Sequence, residues 1–313
     1  QYGSDAMRLY LSGSPAAHAD SLRFDESKIT EISGKYYQWL NAVKFFIEHT
    51  TKFQKDGNKF DLNAYKSSQN IIDRWILTRL RTTLMNIEDH MSKYTFYKVK
   101  AEILEFIEEL INWYIKFNRN RLKGRFCDKV EQSQALSTLY RVLYQFTMIT
   151  APFAPFLAET FYQKLKVLTT ESQLSVHLCD YPKPEDFPED PVVERQMKNL
   201  QLVSRLVRSL RMKSKNSTSA KVPLKHVILA HHNPEFIDDL KAMERYMMEE
   251  INAMKIIYSA DHTQGNYVME TNPKELGLKY RKQSNDIKTK LLELPQTILE
   301  TYEKEKGLTI KLG

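Results

Sequence analysis

The chain has 313 residues, 42% of them hydrophobic, which is enough for about two domains with real cores. Only two cysteines, Cys127 and Cys179, occur far apart, which supports neither a disulfide framework nor a zinc ribbon and points to a reducing compartment. The net charge of +7 permits a polyanionic partner without demanding one, and no apolar run has the length or flanks of a membrane span or signal peptide.

With only 9 glycines the composition favours helices over strands and tight turns. The opening Gln1 to Leu11 is helix-like but lacks a starting methionine, so the expectation is that something has been cut away upstream. Ser12 to Phe24 holds Gly13 and Pro15 and reads as a loop. From Lys28 to about Phe53, the positions Ile29, Ile32, Tyr36, Trp39, Leu40, Val43, Phe46 and Ile47 fit a long amphipathic helix that ends before Asp56-Gly57-Asn58. A second helix is expected from about Ser67 to His90, and a third from Lys98 to Ile115 and beyond. A fourth runs from near Ser133 to Ala151, where Pro152 and Pro155 interrupt it, and a fifth covers Phe156 to Leu168. Long helices with short connections predict a mainly α fold, an antiparallel helix bundle.

The third helix changes character along its length. Glu102, Glu105, Glu108 and Glu109 fill its first half, and then Lys116, Arg119, Arg121, Lys123 and Arg125 follow with no acid between Glu109 and Asp128. That order suits the helix dipole, and Gly124 is placed to terminate the helix. At 100° per residue Asn112, Lys116, Arg119 and Lys123 share one face, while Asn118 and Arg121 continue the apolar face of Tyr114 and Phe117. An inward Arg121 requires a carboxylate or several carbonyls, so it reads as a structural buried charge. The outward row beside Trp113 has the character of a surface that meets phosphates and unstacked bases. Trp113 has an equal claim to be core packing.

The prolines from Pro182 to Pro191 mark the best boundary between domains. Beyond it Val193 to about Lys213 reads as an amphipathic helix, followed by a polar, mobile loop from Ser214 to Ala220. No acid occurs from Arg195 through Pro234, a window with nine lysines and arginines, and an unbroken run of one sign says more than net charge. Then the period changes. Leu224 to Ala230, Met254 to Ser259 and Tyr267 to Thr271 read as strands, Glu235 to Ile251 as a helix, and Lys288 to Lys304 as a helix interrupted at Pro295, with a further strand starting at Leu308 to Leu312. The resulting division is a connector (1–24), the helical bundle (25–180), a proline-rich hinge with a basic helix (181–222) and a small α/β domain (223–313).

No phosphate-binding glycine loop, H-E-x-x-H or G-x-S-x-G occurs, and the adjacent His231 and His232 would point to opposite faces of a strand end. Nothing in the chain reads as a catalytic or metal site. Four ordered blocks do carry a resemblance: Y-G-S-D-A-M-R-L-Y-L from Tyr2, D-R-W-I-L-T-R-L from Asp73, N-W-Y-I-K-F-N-R-N-R-L-K-G from Asn112 and T-A-P-F-A-P-F-L-A-E from Thr150. In this order they resemble class I aminoacyl-tRNA synthetases for branched aliphatic amino acids. The spelling N-W-Y with N-R-x-R-L-K-G, and S-V-H at Ser175, is closer to the isoleucyl enzymes of the eukaryotic cytosol than to the valyl or leucyl ones.

The resemblance implies an anticodon-binding bundle followed by a junction region, with tRNA of the isoleucine isoacceptors as partner. It also implies that a catalytic domain using ATP and magnesium, with its H-I-G-H and K-M-S-K-S motifs, and an editing domain belong upstream. Neither motif is present, so this segment is expected to be non-catalytic and to need no cofactor. The zinc module of bacterial members has no ligand set here. Expected RNA contacts are Lys116, Arg119, Lys123 and Arg125 together with Arg205, Arg208, Arg211, Lys213 and Lys215, and Trp113 is a stacking candidate. The rival readings are a helical module that docks other synthetases and a spacer that touches no RNA.

Overall fold

A computed structural model describes residues 2–18, 20–169, 173–213, 219–231, 233–259 and 284–292, with 280, 294 and 298. It is mainly α, with one small parallel sheet among the described residues. The chain divides into two compact units, Gln1–Gln201 and Leu202–Gly313.

The first unit contains α1 (Ser4–Ser12), α2 (Glu26–Lys55), α3 (Ile71–Ser92), α4 (Phe96–Glu109), α5 (Lys116–Leu122), α6 (Lys129–Thr150) and α7 (Pro155–Leu165). Short polar residues set the helix starts. The carboxylate of Asp25 accepts from Ser27 N, the amide of Asn70 from Ile72 N and the carboxylate of Asp128 from Glu131 N, each satisfying a donor that the first turn leaves open. Pro155 supplies the first residue of α7, where its missing N–H costs nothing.

The core lies where α2, α4, α6 and α7 meet. The fully buried ring of Trp39 stands edge-on to Phe146 at 5.0 Å and to Phe161 at 4.7 Å, and Phe106 lies 4.6 Å from Phe146. Interhelix ion pairs use the acids that suit the dipole of the third predicted helix. Arg79 of α3 reaches Glu109 at 2.6 Å, with Glu102 and Glu105 within 4 Å, and Lys35 of α2 reaches Glu108 at 2.7 Å.

The third predicted helix departs from its expected form. Between α4 and α5, Leu110–Ile115 winds as a π-helix. The buried positions Leu110, Tyr114, Asn118 and Leu122 repeat every four residues, and in a regular α-helix each such step overshoots a full turn by about 40°. One wider π turn absorbs that drift and keeps all four against the core.

A helix α8 (Pro191–Lys213) runs through the boundary of the two units. In the second unit β1 (Val227–Ala230) pairs in parallel with β2 (Ile256–Ser259), Val227 opposite Ile256. The crossover is not the single helix expected from Glu235 to Ile251. It is two, α9 (Pro234–Ala242) and α10 (Glu244–Ile251), which break at the fully buried Met243 where neither glycine nor proline marks the site. A further helix, α11, covers Ser284–Leu292. The strands expected at Tyr267–Thr271 and Leu308–Leu312 lie outside the described residues.

Candidate nucleic-acid interface

The end of α5 is anchored from within. Asp73, 1% exposed on α3, receives Nη1 and Nη2 of Arg121 at 3.1 Å each, the Ser68 hydroxyl at 2.6 Å and the Tyr114 hydroxyl at 3.1 Å. Nη1 of Arg121 also donates to Asn118 Oδ1 at 2.6 Å. Burial and the neighbouring Asp73 carboxylate push the Tyr114 phenol well above its ordinary pKa, so it stays a donor at every working pH. With Arg121 and Tyr114 fixed inward, the opposite face of the same turns points out.

On that outer face Asn112, Lys116 and Arg119 are exposed and Lys123 is half-buried. Among the described residues Arg119, Lys123 and Arg125 pair with no carboxylate. Gly124 ends the helix with φ of 67°, and a Cβ there would sit 2.5 Å from Gln132 Oε1, so the position admits only glycine without displacement. The chain then presents Arg125 and Phe126. Phe126 has φ of 58°, a left-handed conformation unusual for an aromatic residue, and its ring is 96% exposed.

Beside this face lies a cleft of about 380 Å³ between α2 and the π segment, lined by Gln38, Asn41, Phe45, Asn112, Lys116 and Arg119 among others. Lys123 Nζ stands 6.0 Å from the centre of the Phe45 ring, and His49 meets that ring edge-on at 4.3 Å. Partial burial holds the His49 imidazole below its ordinary pKa, with Lys123, Lys52 and Arg119 adding to the effect and Glu48 opposing it. Sequence reasoning misses the α2 residues because Phe45 sits next to the core residue Phe46. Their signal is an aromatic residue on the polar face of an amphipathic helix, with Gln38, Asn41, Phe45, His49 and Lys52 all at helical spacing.

Trp113 does not line this cleft. It is half-buried and stands edge-on to Phe117 at 5.7 Å. In the second unit two expected contacts are corrected. Arg211 is 7% exposed and donates to the carbonyls of Ser219 (3.1 Å), Val222 (2.8 Å) and Ile251 (2.9 Å), because a buried guanidinium needs that many acceptors. Arg208 pairs with Glu250 of α10, a carboxylate that the acid-free stretch of sequence conceals. Arg205 and Lys213 remain exposed without a carboxylate partner among the described residues, and Lys215 lies outside them.

Residues 73–228 match the anticodon-binding domain of tRNA ligase, a match that begins at the clamped Asp73. The chain belongs to the tRNA ligase family through this anticodon-binding domain. It is 34% identical to the cytoplasmic isoleucine–tRNA ligase of Schizosaccharomyces pombe over 99% of its own length and 30% of the relative's. Against the cytoplasmic isoleucine–tRNA ligase of Saccharomyces cerevisiae it is 34% identical, covering 96% of the chain and 29% of that protein. The isoleucine–tRNA ligase of Bdellovibrio bacteriovorus is 33% identical over 84% of the chain and 24% of its own length. The chain therefore spans about 30% of the length of the first two relatives. The outer face of α5 falls within the matched residues, and the adjoining cleft adds Gln38, Asn41 and Phe45 from α2, which precede them. No helix among the described residues is long and apolar enough to cross a membrane.

Proposed function

We propose that this segment reads the anticodon arm of isoleucine tRNAs for an isoleucine–tRNA ligase, with the α5 end and its cleft as the contact surface. Lys116, Arg119, Lys123 and Arg125 hold phosphates, and Phe45 and Phe126 offer rings to unstacked bases. Gln38, Asn41 and Asn112 present amides to base edges. In the second unit Arg205 and Lys213 add backbone contacts. The observation that carries the reading is that Arg119, in the lining of a cleft with an aromatic ring and side-chain amides, and Lys123, beside that ring, pair with no carboxylate among the described residues.

In this reading the ligation of isoleucine, with ATP and magnesium, belongs to parts of the relatives that the chain does not match, and the setting is the cytoplasm. This segment itself does no chemistry. A second reading, a docking module for other synthetases, is favoured by the exposed row Leu202, Leu206 and Leu210 on α8. Filter binding separates the two. A cognate anticodon stem-loop is expected to bind more tightly than one with substituted anticodon bases; equal retention of both would contradict the anticodon reading.

A further inference from the structure

The loop between α5 and α6 carries Arg125 and Phe126 at its apex. Gly124 and Phe126 both have left-handed backbones, with φ of 67° and 58°. Glycine adopts that conformation freely, but an aromatic residue left to itself abandons it. Something outside the loop fixes the turn.

The last four carbonyls of α5, which a helix end leaves open, show what does. Arg119 O takes the N–H of Lys123 at 3.1 Å, Asn120 O that of Arg125 at 2.8 Å and Arg121 O that of Gly124 at 3.0 Å. The fourth, Leu122 O, is met from another helix, by Nε2 of Gln132 at 3.4 Å.

Gln132 is buried near the start of α6, and its Oε1 accepts Lys129 Nζ at 3.4 Å. The flat amide lies so close to Gly124 that all three of its heavy atoms fall within 2.7 Å of where a Cβ would stand. On the other side of the apex Cys127 Sγ donates to Arg121 O at 3.6 Å. The loop is thus held at Gly124 and Cys127, and the two side chains between them are exposed. An amide is a costly group to bury here, since an apolar side chain of the same length would fill the space without losing water. What the apolar side chain would lack is the donor for Leu122 and the flat face for Gly124.

We propose that Gln132 is a positioning residue for RNA binding. From its buried place it holds Arg125 and Phe126 in the conformation that RNA meets, so that the turn is ordered before binding and not at its expense. This rests on the reading of the turn as an RNA contact, and the experiment separates the two.

Gln132→Met keeps the length of the side chain and removes the amide. NMR order parameters of the Arg125 and Phe126 N–H groups are expected to fall from about 0.85 to below about 0.6, while that of Arg121 stays high. Affinity for the cognate anticodon stem-loop is expected to fall about fivefold. In a chain that already carries Phe126→Gly the same change is expected to cost no more than about twofold, because the ring that Gln132 positions is then gone. Gly124→Ala presses on the same amide from the opposite side and is expected to loosen the same two residues, so it decides the question should Gln132→Met not fold. A turn that stays ordered in both variants would overturn the proposal, and a loss of affinity in Phe126→Gly alone would then leave the RNA reading standing without it. Equal losses from Gln132→Met in the two backgrounds would overturn it as well. A turn that loosens with no loss of affinity in any variant, Phe126→Gly included, would show that RNA does not use it, and both would fall.

Discussion

Arg121 and Asp73 meet fork to fork, each terminal guanidinium nitrogen 3.1 Å from an oxygen of a carboxylate that is 1% exposed. Forty-eight residues separate them in sequence, and the pair ties the last turns of α5 to the start of α3. Arg121→Ala leaves Asp73 buried without its cation. It is expected to lower the stability of the first unit by about 3–5 kcal/mol. Urea denaturation checks this, and Arg121→Lys, which keeps the charge but not the planar fork, is expected to recover only part of the loss.

Phe126 joins an exposed ring to a left-handed backbone, two features that do nothing for the stability of the free chain. Phe126→Gly is expected to hold or raise stability, by up to about 1 kcal/mol, since glycine adopts that conformation without strain. The same change is expected to weaken binding of an anticodon stem-loop by about 1–3 kcal/mol through lost stacking. Thermal unfolding and filter binding on one preparation give both values.

His49 supplies a pH dependence. Its pKa in the folded chain lies below the ordinary histidine value, so the unfolded chain takes up the proton first as pH falls. The stability it contributes is complete above the unfolded pKa of about 6.5 and is lost as pH drops through the folded value. RNA phosphates beside Lys123 and Arg119 reverse the sign for binding, because an adjacent anion favours the imidazolium. Stem-loop affinity is therefore expected to rise from pH 7.5 to pH 5.5 in the unmodified chain, by about threefold. His49→Gln is expected to flatten both profiles.

Much of this architecture is legible in the order of residues alone. The helix bundle follows from apolar residues at helical spacing, and the inward turn of Arg121 from its place beside Tyr114 and Phe117. The π segment is hidden, because Leu110, Tyr114, Asn118 and Leu122 step by four and that step is ambiguous over so short a run. Arg211 and Arg208 mislead for another reason. Their partners are the carbonyls of Ser219, Val222 and Ile251 and the carboxylate of Glu250, and a local charge count cannot see acceptors that folding brings from a distance. Phe45 escapes because a single aromatic on a polar face looks like a neighbour of the core.

The measurement closest to the central claim is the salt dependence of binding to isoleucine tRNA for the unmodified chain, Arg119→Ala, Lys123→Ala and the double variant. Each single change is expected to reduce the slope of log K against log salt by about one and to weaken cognate and anticodon-substituted tRNAs alike. The double variant is expected to lose about two, with its urea midpoint unchanged because neither cation pairs with a carboxylate. A double variant that binds with the affinity and slope of the unmodified chain would show that RNA does not rest on this face.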